Sequence, residues 1–327
     1  MNRYLIFRTD RIGDFIFSRI ITDSIKKQNS SNIIDFVCSE YNASYVKNFK
    51  DINKIFILDK YNLSLMLKNL ININASKYDY LIVLDGKRRS IFFSIFLNAK
   101  FKIAILKDWR PYFLLKFFFD KFLINSETKN QYNNFITLAN LIDLKVAKKI
   151  DYYKSYIFKT NKNISKQSNF VLLHLDEKWF EGFYYDDFNY MNLTYKNFNL
   201  LINAIFKKFK KSIIITSGYI KVPIFNQILN KHFKKKDNNM FESIKFGKKL
   251  KFIDNTNFQE LETIVNKSSA ILCCEGAISH VSHAMNKKTY ALINTMETAK
   301  FWTDHMSKIT LLRRGSIKQI CNDLKKF

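Results

Sequence analysis

Short apolar runs of strand length alternate along this chain with longer segments in which apolar residues recur at helical spacing. The first run, Tyr4–Phe7, leads through a charged turn into a segment where Phe15, Ile16, Ile20 and Ile21 recur at that spacing. Further strand-length runs follow at 33–38, 53–58, 78–84, 101–106, 170–175, 211–215, 250–253, 270–274 and 289–293. Strands separated by helices form parallel sheets with helices on both faces. The pattern therefore predicts an α/β fold.

The length of the chain predicts two such units, since 327 residues is about twice the size of a common domain. Segment 151–168 is dominated by Lys, Asn, Ser and Thr and offers few core positions, so it is the best candidate for a linker. We therefore predict an N-terminal Rossmann-like domain at 1–155 and a C-terminal Rossmann-like domain at 156–327.

A surplus of positive charge runs along the chain, which has 54 Lys and Arg residues against 28 Asp and Glu residues and a net charge of +26. Such a surplus favours an anionic partner: phosphate, nucleic acid or an acidic membrane surface. A Lys-rich, solvated surface would account for the same numbers. The cations are spread along the chain and no nucleic-acid-binding motif occurs, so a nucleic acid is not the expected partner.

The cysteines and the hydropathy pattern bear on the compartment. The four cysteines show no C-x-x-C spacing, so neither a disulfide framework nor a zinc site is predicted and a reducing cytoplasm fits. Charged residues interrupt the first apolar run, which argues against a signal peptide. No stretch approaches the ~18 uninterrupted apolar residues of a spanning helix. We therefore expect a cytoplasmic protein.

The turn after the first strand is where a parallel sheet of this type binds ligands, because it lies at the carboxyl edge. It reads Arg8-Thr9-Asp10-Arg11, followed by Ile12-Gly13-Asp14. Gly13 permits a tight backbone there. Asp14 stands at or near the helix N-terminus, and on these residues alone it is either a helix cap or a carboxylate that faces a ligand.

The longer string RTDRIGDFIFSRIITDSIKKQ, residues 8–28, resembles the N-terminal signature of the family 9 glycosyltransferases, the lipopolysaccharide heptosyltransferase family. Members open with a strand, an R-x-D-R-x-G-D turn and a helix. The resemblance implies that Asp14 is the catalytic base. Strand-end residues of the same half are the candidates for binding a phosphorylated or acidic acceptor, with a solvated basic rim as the alternative: Arg11, Gly13, Lys87, Arg88 and Arg89.

A second resemblance lies in CCEGAISHVSHAMNKKTYALI, residues 273–293, which is similar to the C-terminal signature of that family. There a strand ends in D-[ST]-G-P-x-H. Glu275 stands at the Asp position, Gly276 at Ser/Thr, Ala277 at Gly and Ile278 at Pro, while His280 is kept. A turn of small residues into a helix N-terminus still suits a diphosphate, through backbone N–H groups and the helix dipole. These residues are the predicted donor site.

Two further segments complete the predicted donor site. The family has a Lys just after the first strand of its second domain that contacts donor phosphate, and Lys178 stands there. A compact ammonium suits a diphosphate, although a surface Lys is the alternative. Thr216, Ser217 and Gly218 correspond to a strand-end turn that lines the nucleotide site. No D-x-D motif occurs, and His280-x-x-His283 lacks a third ligand of suitable spacing, so we expect no metal and no cofactor.

The resemblance implies two facing Rossmann-like domains with a cleft between them, the GT-B arrangement. It implies a metal-independent inverting glycosyltransferase that moves heptose or a related sugar from a nucleotide-diphosphate donor. The acceptor would be an anionic glycolipid or glycan, such as the lipopolysaccharide core. Two other readings stay open: an inactive relative that only binds, favoured by the altered Glu275–His280 turn, and a basic nucleic-acid-binding protein.

The run WRPYFLLKFFFDKF at 109–122 interleaves aromatic residues with cations. One interpretation is a segment that contacts an anionic membrane surface, with aromatic side chains at the interface and cations toward the headgroups. The other is a core helix with charged residues on its outer face. On the first interpretation, the protein makes peripheral contact with the cytoplasmic face of the inner membrane.

Overall fold

The structure is a computed structural model, and it describes residues 1–59, 62–106, 112–125, 130–146, 168–180, 191, 193–218, 220, 223–237 and 239–327. The chain divides into two compact units, Met1–Ile157 and Phe158–Phe327. The predicted linker at 151–168 lies, apart from Ser168, outside the described residues. The predicted boundary after residue 155 falls in the same stretch and stays a prediction.

The N-terminal unit is a single parallel sheet covered by helices. Its elements are β1 (Arg3–Arg8), α1 (Ile12–Gln28), β2 (Ile33–Cys38), α2 (Glu40–Val46), β3 (Lys54–Ile57), α3 (Leu63–Asn74), β4 (Tyr78–Val83), α4 (Arg88–Ile95), β5 (Ala99–Leu106), α5 (Tyr112–Leu115), β6 (Lys121–Ile124) and α6 (Gln131–Asn140). The strand order is β3-β2-β1-β4-β5-β6, and the neighbouring strands are parallel. The order reverses between β1 and β4, so their carboxyl ends form the switch point where such sheets bind ligands.

The central strands are apolar because both faces of the sheet are covered. Leu5, Ile6 and Phe7 of β1 are fully buried, and Ile6 lies opposite Phe36 of β2 and Ile82 of β4. Sequence periodicity locates these strands well, because burial on both faces demands a continuous apolar run.

The amino edge of this sheet is closed by ion pairs. Asp35 accepts hydrogen bonds from Arg3 Nη2 and from the Tyr78 hydroxyl, both at 2.7 Å. Asp79 accepts from the backbone N–H of Arg3 at 2.8 Å and pairs with Lys100 Nζ at 2.8 Å. These carboxylates lie at the end of the strands opposite to the switch point, so they serve the fold.

The C-terminal unit is a larger sheet. Its elements are β7 (Phe170–Leu175), a 3₁₀ helix (Glu177–Trp179), α7 (Tyr195–Phe209), β8 (Ile213–Ser217), α8 (Pro223–His232), β9 (Phe233–Asp237), β10 (Met240–Ser243), β11 (Gly247–Ile253), α9 (Phe258–Lys267), β12 (Ser268–Cys274), α10 (Ala277–Ala284), β13 (Lys288–Ile293), α11 (Met296–Thr303), β14 (Ile309–Arg313) and α12 (Ile317–Lys326). The order is β14-β13-β12-β7-β8-β11-β10-β9. In this spatial order the first six strands, from β14 to β11, are parallel to one another. β10 and β9 pair antiparallel and form one edge of the sheet.

The structure corrects two boundaries that matter for the site. α1 begins at Ile12, so Gly13 lies inside its first turn and not in the turn before it, while Asp14 is at the N3 position near the helix N-terminus. β8 extends through Ser217, so Thr216 and Ser217 are strand residues and not turn residues.

The pattern did not predict the edge hairpin of the second sheet, formed by β9 and β10, nor the strands β6 and β14. β9 reads FKKKD, and four of its five residues are exposed. Lysines protect an edge strand from pairing with other chains, but they remove the apolar alternation by which strands are recognised.

No helix among the described residues has both the length and the hydropathy needed to cross a membrane.

Candidate functional site

The switch point of the first sheet gathers the charged residues of two turns, those that follow β1 and β4. Arg8, the last residue of β1, is at their centre and only 2% exposed. Its Nη1 donates to the carbonyl of Leu84 at 2.6 Å, and its Nε donates to the carbonyl of Asp14 at 3.3 Å. Arg8 therefore ties the end of β4 to the first turn of α1. The sequence pattern did not predict this role for Arg8, although a cation directly after an apolar run indicates a charged residue at the end of a buried strand.

Asp14 is held at both of its carboxylate oxygens. Oδ1 accepts from Arg8 Nη2 at 3.3 Å, and Oδ2 accepts from the backbone N–H of Arg11 at 3.3 Å, which completes a capping box. The Asp14 side chain is nevertheless 25% exposed. The two interpretations left open by the sequence are therefore compatible, because Asp14 caps α1 and still presents a positioned carboxylate to solvent.

Asp10 is a second carboxylate of the same cluster, and the sequence analysis gave it no role. Its Oδ1 lies 2.6 Å from Lys87 Nζ and its Oδ2 lies 3.5 Å from Arg8 Nη1. Burial raises the pKa of Asp10 above its ordinary value, and the charges of Arg8 and Lys87 oppose that rise. Lys87, predicted to bind the acceptor, also donates to the carbonyl of Thr9 at 3.1 Å, so it joins the two turns.

Asp85 locks the turn after β4 to the turn after β1. It accepts from the backbone N–H and the hydroxyl of Thr9 at 3.0 and 2.7 Å, from the hydroxyl of Ser90 at 2.7 Å, and from the backbone N–H of Lys87 at 3.0 Å. It is 6% exposed. Its hydrogen-bonding capacity is used within the protein, so Asp85 positions the cluster.

The remaining predicted acceptor residues lie around this cluster. Arg11 is exposed at the N-cap of α1, and Arg88 is exposed as the first residue of α4. Arg89 is half-buried, and its Nε has no hydrogen-bond partner within the described residues. Gly13 is helical, whereas the left-handed glycine of this edge is Gly86, with φ of 59°. The turn after β1 is therefore made without the glycine that the sequence predicted there, and the left-handed glycine belongs to the turn after β4.

In the second sheet, the predicted residues Lys178, Glu275 and Gly276 come together at the carboxyl edge. Lys178 Nζ donates to the carbonyl of Glu275 at 2.7 Å. Gly276 has φ of 157° and ψ of −154°, a region that essentially only glycine occupies. A Cβ at Gly276 would lie 2.8 Å from Lys178 Nζ. Glycine is thus required twice, by the backbone conformation and by the close approach of the ammonium group.

The helix that follows, α10, begins at Ala277. Its first turn is closed by Ser279, whose hydroxyl donates to the carbonyl of Gly276 at 2.6 Å and accepts from the Gly276 N–H at 3.2 Å. The first amides of a helix have no intrahelical partner, and Lys178 brings a full positive charge beside them. This end of α10 therefore suits an anion.

Two residues of this cluster were not assigned by sequence. Asp176 follows β7, and Arg314 follows β14. Burial raises the pKa of Asp176, against the opposing charges of Lys178 and Arg314. Burial lowers the pKa of Lys178, but the charges of Asp176 and Glu275 outweigh it, and the pKa ends above its ordinary value. Lys178 is therefore a cation at neutral pH.

Thr216 and Ser217 are buried, and their hydroxyls are engaged within the unit. Thr216 Oγ1 is 2.9 Å from His174 Nδ1, and Ser217 Oγ donates to Asp254 Oδ1 at 2.6 Å. Burial lowers the pKa of His174 to about 4, so its ring is neutral at pH 7. Of the predicted strand-end turn, only Gly218 is half-exposed. The two hydroxyls support the edge of the sheet and do not line its surface.

His280 is 7% exposed and packs edge-on against the ring of Trp302, with centroids 6.5 Å apart. His283, one turn further along α10, packs against His305 at 5.0 Å. Burial lowers the pKa of His305 to about 3, and His283 and His280 add to the effect. Within the described residues, no group of three His, Cys, Asp or Glu side chains is arranged to hold a metal ion.

Comparison with known proteins identifies the fold. No family model and no curated protein sequence matches the chain. A family 9 glycosyl transferase from Veillonella parvula DSM 2008 superposes with a TM-score of 0.73 and 12% identity, covering 100% of this chain and 90% of that one. The E. coli heptosyltransferase WaaC with ADP-2-deoxy-2-fluoro heptose superposes with a TM-score of 0.70 and 12% identity, covering 99% and 98%. The chain has the GT-B fold.

The GT-B fold is shared by proteins of another activity. The UDP-GlcNAc 2-epimerase of Methanocaldococcus jannaschii matches with a TM-score of 0.55 and 15% identity, covering 100% of this chain and 92% of that one. The predicted heptosyltransferase-like fold with two Rossmann-like domains is thus confirmed. Sequence identities this low carry no residue roles, so the roles of Asp14, Lys178 and the Glu275–His280 turn stay predictions.

Proposed function

We propose that this protein is a metal-independent, inverting glycosyltransferase. It transfers heptose or a related sugar from a nucleotide-diphosphate donor to a lipopolysaccharide-core or other surface-glycan acceptor. The observation that carries the proposal is the Arg8–Asp14 cluster, a fixed carboxylate at the switch point of the first sheet of a GT-B chain. The fold alone would suit an epimerase as well, whereas a base for an acceptor hydroxyl is what transfer requires.

Asp14 is the proposed general base. It takes the proton of the acceptor hydroxyl as that oxygen bonds to the anomeric carbon, the bond from that carbon to the donor's diphosphate breaks, and the configuration inverts. Arg8 and the Arg11 amide each occupy one site on the carboxylate oxygens, and a carboxylate offers about four such sites. Capacity for the substrate proton therefore remains. A positioned base of this kind contributes roughly 10² to 10⁴-fold in rate.

The donor's diphosphate binds, in this proposal, at the carboxyl edge of the second sheet. Lys178 Nζ donates to the carbonyl of Glu275 and brings a positive charge to the place where the diphosphate would lie. The first amides of α10, beginning at Ala277, face the same anion. Together they stabilise the negative charge that develops on the leaving diphosphate, which is the electrostatic role that a metal ion plays elsewhere.

The acceptor binds, in this proposal, along the rim of the first sheet. Arg11 and Arg88 are exposed there and suit phosphate or carboxylate groups of a core sugar. Lys87 and Arg89 reinforce the positive potential, although Lys87 is already paired with Asp10. A lipid-linked acceptor of this kind would place the reaction in the cytoplasm, at the inner-membrane face.

A panel of ADP-, UDP-, GDP- and CMP-linked sugars in thermal-shift assays tests the donor side. We expect one nucleoside diphosphate sugar to raise the melting temperature, in the presence of EDTA as well, and Lys178→Ala to lose that shift. Matched Lys→Ala variants at the exposed Lys318 and Lys196 of the same unit should keep it.

Three outcomes would contradict the proposal. Loss of binding in EDTA would make the reaction metal-dependent. Saturable donor binding without transfer to any extracted core glycolipid would favour an inactive relative. Absence of any nucleotide-sugar shift, together with salt-dependent affinity for arbitrary DNA, would favour a nucleic-acid-binding protein.

A further inference from the structure

Three helices of the N-terminal unit cover the same face of its sheet. Their inner residues pack into one core cluster with strand residues such as Leu5, Val83 and Ala104. The helical members of that cluster come from α3, α4 and the α5 segment 112–120: Ile73, Ile91, Phe93, Leu97, Leu115 and Phe119, with Met66 and Leu70 packed against them. Because the inner sides share one core, the outer sides of these helices point away from the sheet in the same direction.

Hydrogen bonds join the three helices. Asn74 at the end of α3 donates through Nδ2 to the carbonyl of Phe96 at 3.0 Å, just beyond α4. Lys102 Nζ donates to the carbonyl of Ser94 at 3.2 Å, and the Lys102 N–H donates to Asp120 Oδ2 at 2.6 Å. The outer sides therefore lie on the same side of the sheet, and together we call them the three-helix surface.

The three-helix surface is unusually apolar. It displays large hydrophobic side chains that are about half to three quarters exposed: Leu67 53%, Ile71 69%, Phe92 60%, Phe96 52%, Leu114 69%, Phe117 74% and Phe118 46%. Phe92 and Phe96 lie one turn apart on α4, with ring centroids 5.2 Å apart. Elsewhere in the described residues, large hydrophobic side chains with this exposure are scattered along both units, as Tyr41, Leu200 and Ile244 are. A concentration of this size marks an interaction surface.

The charges beside these side chains are almost all positive. Lys68, Arg88 and Lys116 are exposed on α3, α4 and the segment that follows α5. α3 and α4 contain no acidic residue, and the exposed carboxylate of that segment, Asp120, already accepts the Lys102 N–H. The partner must therefore offer apolar area and negative charge together.

We propose that the three-helix surface docks the protein on an anionic phospholipid bilayer. Phe92, Phe117 and Leu114 enter the boundary between headgroups and acyl chains, and the flanking cations lie at the lipid phosphates. A second copy of the chain is a poor occupant, since a two-fold contact would bring the same cations together. Single-stranded nucleic acid would use the aromatic rings but not the aliphatic Leu67, Ile71 and Leu114.

This surface shares Arg88 with the proposed acceptor rim, but its apolar side chains lie outside that rim, and the docking does not rest on the proposed transfer reaction. It revises the basis of the membrane interpretation drawn from the run at 109–122. Residues 107–111 of that region lie outside the described residues, and Leu115 and Phe119 of the run are core residues. The exposed side chains of the run lie on the same side of the sheet as those of α3 and α4. A sequence pattern confined to one contiguous aromatic run does not include α3 and α4.

Co-sedimentation of the full chain with vesicles tests the proposal. We expect binding to phosphatidylcholine vesicles that contain phosphatidylglycerol, weaker binding to phosphatidylcholine alone, and weakening by salt. The triple variant Phe92→Ser/Leu114→Ser/Phe117→Ser should bind the anionic vesicles at least about tenfold more weakly, because it removes exposed apolar groups and no charge. Lys68→Glu/Lys116→Glu should remove the preference for anionic lipid.

The matched control is Leu200→Ser/Ile244→Ser, which removes hydrophobic side chains that are 46% and 62% exposed in the C-terminal unit. It should bind like the unaltered chain. All the substituted side chains are exposed, and unchanged melting temperatures establish that the variants are folded. Equal binding by the triple variant and the unaltered chain would overturn the proposal. So would an absence of binding to anionic vesicles, or a dimer in solution that the triple variant dissociates.

Discussion

At the residue scale, the geometry resolves an ambiguity that no sequence pattern could settle. Whether Asp14 caps a helix or faces a ligand depends on the direction of its second oxygen and on its exposure. Its capping oxygen accepts from Arg11, its other oxygen faces Arg8, and a quarter of the side chain is open to solvent. The two roles are thus compatible in one residue, because a capping box fixes a carboxylate without burying it.

Gly276 allows a sharp test of the predicted donor site. Gly276→Ala forces a side chain onto a backbone with φ of 157° and into a 2.8 Å approach to Lys178 Nζ. We expect a loss of about 1–3 kcal/mol in the free energy of unfolding and a loss of nucleotide-sugar binding. Gly218→Ala is the control, since its Cβ would meet nothing nearer than 3.8 Å. Equal urea midpoints for the two variants would contradict the strain argument.

His174 makes stability depend on pH in a stated direction. Its pKa is about 4 in the folded protein against 6.5 as the ordinary value. Between these values the unfolded chain binds more protons, so stability is lost as the pH falls from 6.5 toward 4. His174→Gln removes this titration. In urea unfolding, the stability of the unaltered chain relative to the variant should fall by up to about 3 kcal/mol between pH 7 and pH 4. A constant difference would contradict it.

At the element scale, the turn between β1 and α1 depends on Arg8. Arg8→Lys keeps the charge but loses the planar fork that reaches Leu84 and Asp14 together. We expect kcat to fall by roughly tenfold to a hundredfold, as the loss of a charged hydrogen bond implies, with the donor KM unchanged. Steady-state kinetics with saturating acceptor measures both.

The matched control for Arg8 is Arg3, at the other end of the same strand. Arg3 also forms an ion pair, with Asp35 at 2.7 Å, but at the amino edge. Arg3→Lys should lower the melting temperature and leave kcat intact. If both variants lost kcat in proportion to stability, Arg8 would be a structural residue and not a positioning one.

Strands were predictable where burial on both faces of the sheet determines the sequence. β1, β2, β4, β7 and β12 are buried on both faces, so an apolar run is sufficient to locate them. The prediction was wrong where a strand contains polar residues, either buried with hydrogen-bond partners or exposed at an edge. β8 continues through Thr216 and Ser217 because buried hydroxyls find partners in His174 and Asp254, and a polar pair looks like a turn. The charged edge strand β9 was missed for the related reason that lysines replace alternation.

At the scale of the whole molecule, the resemblance read from residues 8–28 predicted the fold, which the superpositions confirm although identities are near 12%. The candidate site was only partly predictable. Arg8, Asp10 and Asp14 stand in one short motif, whereas the interactions of Arg8 with Leu84, of Asp10 with Lys87 and of Asp176 with Arg314 join residues far apart in sequence. Charges of that kind become visible only when the sheet order brings their turns to one edge.

The net charge of +26 also changes meaning at this scale. It is not one uniform field. Cations meet carboxylates at the switch point, as Arg8 and Lys87 do, while those of the three-helix surface flank exposed apolar side chains. The first arrangement suits the proposed reaction and the second suits the proposed lipid surface, so the two proposals assign the excess charge two separable uses.

The most direct test of the proposed general base is the turnover of Asp14→Asn on a confirmed donor and acceptor, beside the control Asp79→Asn. Both carboxylates pair with one cation and accept one backbone N–H, and their side chains are 25% and 23% exposed. They differ in lying at opposite edges of one sheet. If Asp14 is the general base, Asp14→Asn lowers kcat/KM by roughly 10²-fold or more and retains donor binding. Asp79→Asn leaves kcat/KM unchanged. Turnover of Asp14→Asn at the rate of the unaltered chain would contradict it.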